Sequence, residues 1–147
     1  NGKISKMVST SGFITYTEGR TNDTDEPLSS IPPLFGQFEV NYKKDQLELG
    51  AVFRFNSKKD IGDFNITEGI DNHDLTPVVN PNATDEVNFF YGTPSWMTFG
   101  LNGSYVINSN FTVQARFDNI FDEHYIEFAS GVSAPGRNLS VSLIANF

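Results

Sequence analysis

The sequence predicts an all-β fold: a segment of an antiparallel transmembrane β-barrel with about six strands. Three observations predict it. The final stretch alternates apolar and polar residues up to its last position. Two hairpins bring both of their faces into register at once. The connections between strands run long, short, long, short, long, the rhythm of barrels with long loops on one side of a membrane and short turns on the other.

The final stretch is Arg137 to Phe147. Leu139, Val141, Leu143, Ala145 and Phe147 fall on one face; Asn138, Ser140, Ser142 and Asn146 fall on the other, with Ile144 the only apolar intruder. Period-two alternation of this kind marks a strand with one apolar and one polar face. Ends of chains fray in water, whereas a closing barrel strand places its apolar face against lipid and an aromatic residue at the interface. Composition agrees. The 147 residues carry a net charge of −8, yet 14% are aromatic, with 14 Phe and 5 Tyr. No apolar run approaches the roughly 18 residues of a membrane helix. The chain has no Cys, so disulfides, thiol nucleophiles and thiolate metal sites are excluded. The acidic balance, with only 10 Lys plus Arg, argues against nucleic acid as a partner. No signal peptide opens the chain, and Asn1-Gly2-Lys3 reads like a cut inside a longer protein.

Taken in order, residues 4–17 form the first strand, with Val8, Thr10, Gly12, Ile14 and Tyr16 on one face. Glu18 to Glu26 is a polar loop, and Ile31-Pro32-Pro33 sets an extended entry to the next strand. Residues 34–43 and 46–56 then form a hairpin around a two-residue loop, Lys44-Asp45, which pairs Tyr42 with Leu47, Val40 with Leu49, Phe38 with Ala51 and Asn41 with Glu48. Both faces match, a test that a slip of one residue fails. Residues 57–95 are a long insertion without sustained period, and loops of this length are functional or disordered. Residues 97–107 and 111–119 form a second hairpin around Asn108-Ser109-Asn110, pairing Ile107 with Phe111 and Tyr105 with Val113. A loop of about 18 residues, Ile120 to Arg137, leads to the last strand. The three long loops then share one end. Tyr42, Tyr105, Phe111 and Phe147 form one aromatic belt, and Tyr16, Phe55, Phe99 and Phe117 lie near the other. A soluble antiparallel sandwich also predicts alternation, but not this segregation of loops and aromatics.

From Asp118 onward the chain resembles the C-terminal end of TonB-dependent outer-membrane receptors, in wording closest to those of Bacteroidetes-type bacteria. The residues that carry it are DNIFDEHY (Asp118 to Tyr125, with Asn119, Phe121, Asp122 and Tyr125), APGRN (Ala134 to Asn138, with Pro135, Gly136 and Arg137) and the terminal Phe147. PLSSIPPLFGQ, Pro27 to Gln37, and GTPSW, Gly92 to Trp96, extend the likeness over nearly the whole chain. The resemblance implies a 22-stranded barrel around an N-terminal plug, of which residues 1–147 are the C-terminal part without the plug. It implies a bacterial outer-membrane location and lipid, the rest of the barrel, its plug and TonB as partners. It also implies energy-coupled uptake of a scarce nutrient, foremost an iron chelate such as a siderophore or haem. The residues themselves offer no enzyme motif, and no cofactor is expected. A passive porin-like segment and a soluble carbohydrate-binding β-domain are the alternatives. In the resembling motif, Asn119, Asp122 and Tyr125 are expected to tie a strand end to the loop above it, Gly136 to take a positive φ, and Arg137 to pair with Asp122 or Glu123.

Candidate site residues follow from the same frame. Glu39, Glu48, Arg54, Arg116 and Asp118 are expected to face the lumen. His73 and His124 are the only histidines, and neither sits in a nucleophile or zinc motif. Asp71, His73 and Asp74 have the donor types for a divalent ion; the ordinary fate of such a trio in a polar loop is solvation, and whether a metal binds stays open. Asp23, Asp25 and Glu26 lack calcium-loop spacing. Phe89, Phe90, Tyr91 and Trp96 offer stacking to a planar ligand or a sugar, against the plainer reading of an interfacial belt or loop packing. Asn22, Asn65, Asn82, Asn110 and Asn138 open Asn-x-Ser/Thr triplets, which carry no glycosylation meaning in a bacterial outer membrane. The loop 57–95, with His73, Asp74 and Phe89 to Tyr91, is expected outside the cell as the chain's main contribution to ligand capture.

Overall fold

The computed structural model describes residues 1–147. Its body is one antiparallel sheet whose strand order follows the chain: β1 (Gly2–Lys3), β2 (Val8–Thr15), β3 (Phe35–Lys44), β4 (Leu47–Asn56), β7 (Trp96–Val106), β8 (Phe111–Asp118) and β9 (Asn138–Ala145). A separate ribbon of β5 (Lys59–Asp60) and β6 (Gly92–Thr93) closes the base of the long second loop. The sheet thus has the six expected long strands and a two-residue edge strand, and it stays open, with β1–β2 and β9 as its edges.

Alternation in sequence becomes rows across the sheet. One face carries the rows Phe38–Phe53–Phe99 and Val40–Ala51–Leu101–Phe117–Leu139, then Leu47–Tyr105–Val113–Leu143. The other carries Gln37–Arg54–Thr98, then Asn41–Gly50–Asn102–Arg116–Ser140 and Glu48–Ser104–Gln114–Ser142. The apolar face is bare: Leu49 is 46%, Leu101 53% and Val141 68% exposed. A soluble sandwich would bury these side chains between sheets. Here the buried apolar residues are Ile61, Phe64 and Tyr125, all in the long loops. Protein core sits above the sheet, and the face of the sheet is left for another solvent, as a lipid-facing wall requires.

Three strand assignments differ from the sequence reading. The last strand ends at Ala145, so Phe147 lies beyond it and is exposed. The first strand ends at Thr15, so Tyr16 lies beyond it, its hydroxyl donating to Glu18 at 2.8 Å. In the first hairpin the turn is Asp45-Gln46, which pairs Tyr42 with Leu49, Val40 with Ala51, Phe38 with Phe53 and Asn41 with Gly50. The register is shifted by two from the expected one. The cause is Asp45, which takes φ +51°, a conformation that Asp tolerates better than the Lys44 the other register would use. A shift of two preserves both faces. The second hairpin has the expected register, Tyr105 opposite Val113, with Ile107 N–H donating to Phe111 O at 2.9 Å.

Candidate functional site

The three long loops, residues 16–34, 57–95 and 119–137, emerge at one end of the sheet, because they join strands that are neighbours there. Glu39, Glu48, Arg54, Arg116 and Asp118 all lie on the polar face. Arg116 Nε is 2.8 Å from the Asp118 carboxylate, and Arg54 reaches up to Glu127 of the third loop at 3.1 Å. Both pairs are half-exposed, so each is worth under about 1 kcal/mol and acts mainly to orient side chains.

Where β8 runs out, the chain folds a tight rim. Asn119 and Asp122 take φ +47° and +59°. The Asn119 side chain accepts from Glu123 N–H at 2.9 Å and donates to Glu123 O at 2.8 Å. Asp122 accepts from the Arg137 backbone N–H at 2.7 Å and lies 3.5 Å from its guanidinium. That backbone bond, against an opposing desolvation and with help from the Arg137 charge, holds the Asp122 carboxyl below its ordinary range. The expected ties of Asn119 and Asp122 are therefore present, and Arg137 pairs with Asp122. Tyr125 works differently from expectation. Its ring is buried and lies 4.2 Å from that of Trp96, centroid to centroid, and packing rather than its hydroxyl anchors the loop. Gly136 also has a different reason from the expected one: its φ is not positive, but a Cβ there would sit 2.8 Å from Asp122 Oδ1. A larger residue would have to push that carboxylate aside, away from the Arg137 N–H it accepts from.

Above the rim the loops are knotted together. Lys59 is buried, with its ammonium 3.3 Å from Asp71, 2.7 Å from Ile31 O, and over the rings of Phe64 and Phe128 at 4.6 and 4.2 Å. Burial pushes the Lys59 pKa down, and Asp71 opposes that shift. Sequence reasoning passed over this pair, since charged residues are rarely buried and no period connects positions 59, 71 and 128.

The match that decides the family is to the model described as TonB dependent receptor-like, β-barrel, which covers residues 7–120. The chain belongs to this family. As a TonB-dependent receptor barrel segment it is part of a Gram-negative outer-membrane protein. Among solved structures, the copper transporter OprC superposes with a TM-score of 0.72 at 21% identity, over 99% of this chain and 22% of that one. The ferric enterobactin receptor PfeA of Pseudomonas aeruginosa gives 0.66 at 22% identity, over 98% and 20%. The siderophore receptor PirA of Acinetobacter baumannii gives 0.69 at 19% identity, over 97% and 20%. At these identities the likeness shows the fold alone. The chain spans about a fifth of the length of these receptors. Nothing among them supports the particular kinship to Bacteroidetes-type receptors. A comparison with curated proteins gives no match.

Within the receptor segment, the predicted ligand-loop residues do not form one cluster. Trp96 opens β7 and sits on the polar face against Tyr125, with the Arg54 guanidinium 5.7 Å from its ring centroid. Phe89 and Phe90 pack edge to face at 4.8 Å around the short helix α1 (Glu86–Phe89), which Asp85 caps by accepting from Asn88 N–H at 3.0 Å. That bonding from Asn88, side chain first, holds the Asp85 carboxyl low. Tyr91 lies under the Lys58 ammonium at 4.0 Å. The Asp71-His73-Asp74 trio is dispersed. Asp71 is taken by Lys59, the buried His73 faces Glu86 at 2.9 Å and Phe90 at 5.7 Å, and Asp74 is exposed. A hollow of about 260 Å³ opens between the second and third loops, lined by Leu75, Pro77, Pro94, Trp96, Tyr125 and Ile126 among others.

Proposed function

We propose that residues 1–147 are the C-terminal part of a plugged barrel and serve TonB-coupled uptake of a scarce nutrient, foremost an iron chelate. The observation that carries the reading is the gathering of three long, mutually bonded loops at one end of a sheet whose polar face holds opposed charges. Such a face suits contact with a plug, and such a cap suits capture from outside. Two of the similar structures are described as receptors for ferric enterobactin and for a siderophore, which favours an iron chelate. In this reading Asp74 and Tyr91 meet the ligand, while His73, Phe89, Phe90 and Trp96 shape the surface from below.

A second cargo, a metal ion, is favoured by one observation. The second loop carries Asp60, Asp63, Glu68, Asp71, Asp74, Asp85 and Glu86 against Lys58 and Lys59, and OprC is described as a copper transporter. An acidic mouth raises the local concentration of cations and repels anionic chelates.

The test is uptake by cells expressing the full-length receptor, with and without TonB, given radioactive iron as catecholate, hydroxamate or haem complexes, or ionic copper. TonB-dependent accumulation of an iron complex is expected. Accumulation that persists without TonB identifies a passive barrel, and TonB-dependent accumulation of copper alone transfers the reading to the second cargo.

A further inference from the structure

Lys59 touches all three long loops at once. In the first loop, Ile31 O accepts from its ammonium at 2.7 Å, and Ser30 N–H donates to its partner Asp71 at 2.6 Å. In the second, Asp71 and the Phe64 ring face it. In the third, the Phe128 ring does, and Phe128 also meets Phe64 edge to face at 5.9 Å. Two neutral bonds follow the same seams: Asn65 donates to Pro27 O at 3.0 Å and Asn72 to Ala129 O at 2.9 Å. The Lys59 side chain is 5% exposed and the Asp71 side chain 0%. An ammonium so far from water is tolerated only while every one of these partners stays in place. Cation–π attraction to two rings adds to the pair when water is excluded. If one loop swings away, water must enter and the whole arrangement is lost. That makes the contacts cooperative rather than additive.

We propose that Lys59 is a positioning residue that locks the three long loops into one cap, so that the hollow between the second and third loops exists before any ligand arrives. The inference holds for either cargo, because Lys59 is sealed beneath the surface and meets no ligand. Its consequence is that capture takes place on a formed surface, and the loops cannot close separately.

The experiment uses the full-length receptor in detergent micelles, without other accessible thiols, carrying Asp23→Cys in the first loop and Val132→Cys in the third. Spin labels at these exposed positions report the distance between two loops, neither of which contains Lys59. A narrow distance distribution is expected. Lys59→Ala is expected to broaden it at least twofold, and Lys59→Arg, which keeps charge and stacking, to restore most of the narrowness. A purely local role for Lys59 in its own loop would leave this distance untouched. If Lys59→Ala does not assemble, Asp71→Asn, also outside both labelled loops, is read instead and is expected to broaden the distribution while the barrel forms. A distribution that is broad in the parent receptor, or equally narrow in the readable variant, overturns the proposal.

Discussion

Gly92 and Asp122 show how single residues set the loop cap. Gly92 has φ +88°, and a Cβ there would run into the Lys59 carbonyl. Gly92→Ala is expected to cost about 1–3 kcal/mol in backbone strain, with the clash in addition. Hydrogen exchange in the β5–β6 ribbon should speed accordingly, because Lys59 pairs with Thr93 and Asp60 with Gly92 itself. Asp122 gives a pH dependence. Its carboxyl is held below the ordinary 3.8, first by the Arg137 N–H and then by the Arg137 charge. A depressed acid stabilises the folded form above its unfolded pKa, and that contribution is lost as pH falls through the folded pKa. The rim is therefore expected to keep its full hold above about pH 4 and to loosen under stronger acid. The Arg137 amide resonance should titrate with a midpoint under 3.8; a midpoint above it would mean the bond is not made. The side-chain ties of Asn119 and Asp122 were legible because Asn and Asp bond to nearby backbone wherever a turn lets them. The reason for Gly136 was not, because it depends on Asp122 returning beside it across a loop that sequence leaves unfolded. Lys59 was illegible for the same cause: its partners Ile31, Asp71 and Phe128 come from three loops.

At the scale of elements, the six long strands were readable because a period of two is local and repeats along each strand. Register is less local. Tyr105 opposite Val113 follows from three Asn-rich turn residues, and it held. In β3–β4 two registers, apart by two, satisfy both faces equally, and only the turn chooses between them. The positive φ of Asp45 decides for Tyr42 opposite Leu49. A cysteine pair at Tyr42 and Leu49 is expected to cross-link under mild oxidation in the assembled receptor, whereas a pair at Tyr42 and Leu47 should not. The opposite outcome would restore the register read from sequence alone. The second long loop was recognisable by length, not by content. Its ribbon, its short helix α1 and its buried pair arise from contacts far apart in the chain. Replacing residues 57–95 by a short Gly-Asn turn is expected to leave the barrel assembled, since β4 and β7 pair along ten rows without it. Whole-cell ligand binding should fall, and the loss of Lys59 should also loosen the first and third loops. Normal binding at normal barrel levels would make this loop dispensable.

For the whole molecule, one asymmetry organises everything: an apolar face left bare, a polar face carrying paired charges, and a packed cap at one end only. The two faces were fully legible in the alternation. Closure was not: the sheet stays open, with β1–β2 at one edge and β9 at the other. An open sheet cannot remain in lipid with unpaired edges, so the segment must be read within its complete barrel. The most direct test of that account is to place single cysteines along the last strand and its neighbours in the full-length receptor, attach a fluorophore, and measure quenching by brominated lipid acyl chains. Probes at Leu101, Val141 and Leu143 are expected to be quenched strongly, and probes at Asn102, Ser140 and Ser142 to be quenched weakly and to react with water-soluble thiol reagents. Equal quenching along both faces, or quenching on the polar face, would contradict a lipid-facing wall.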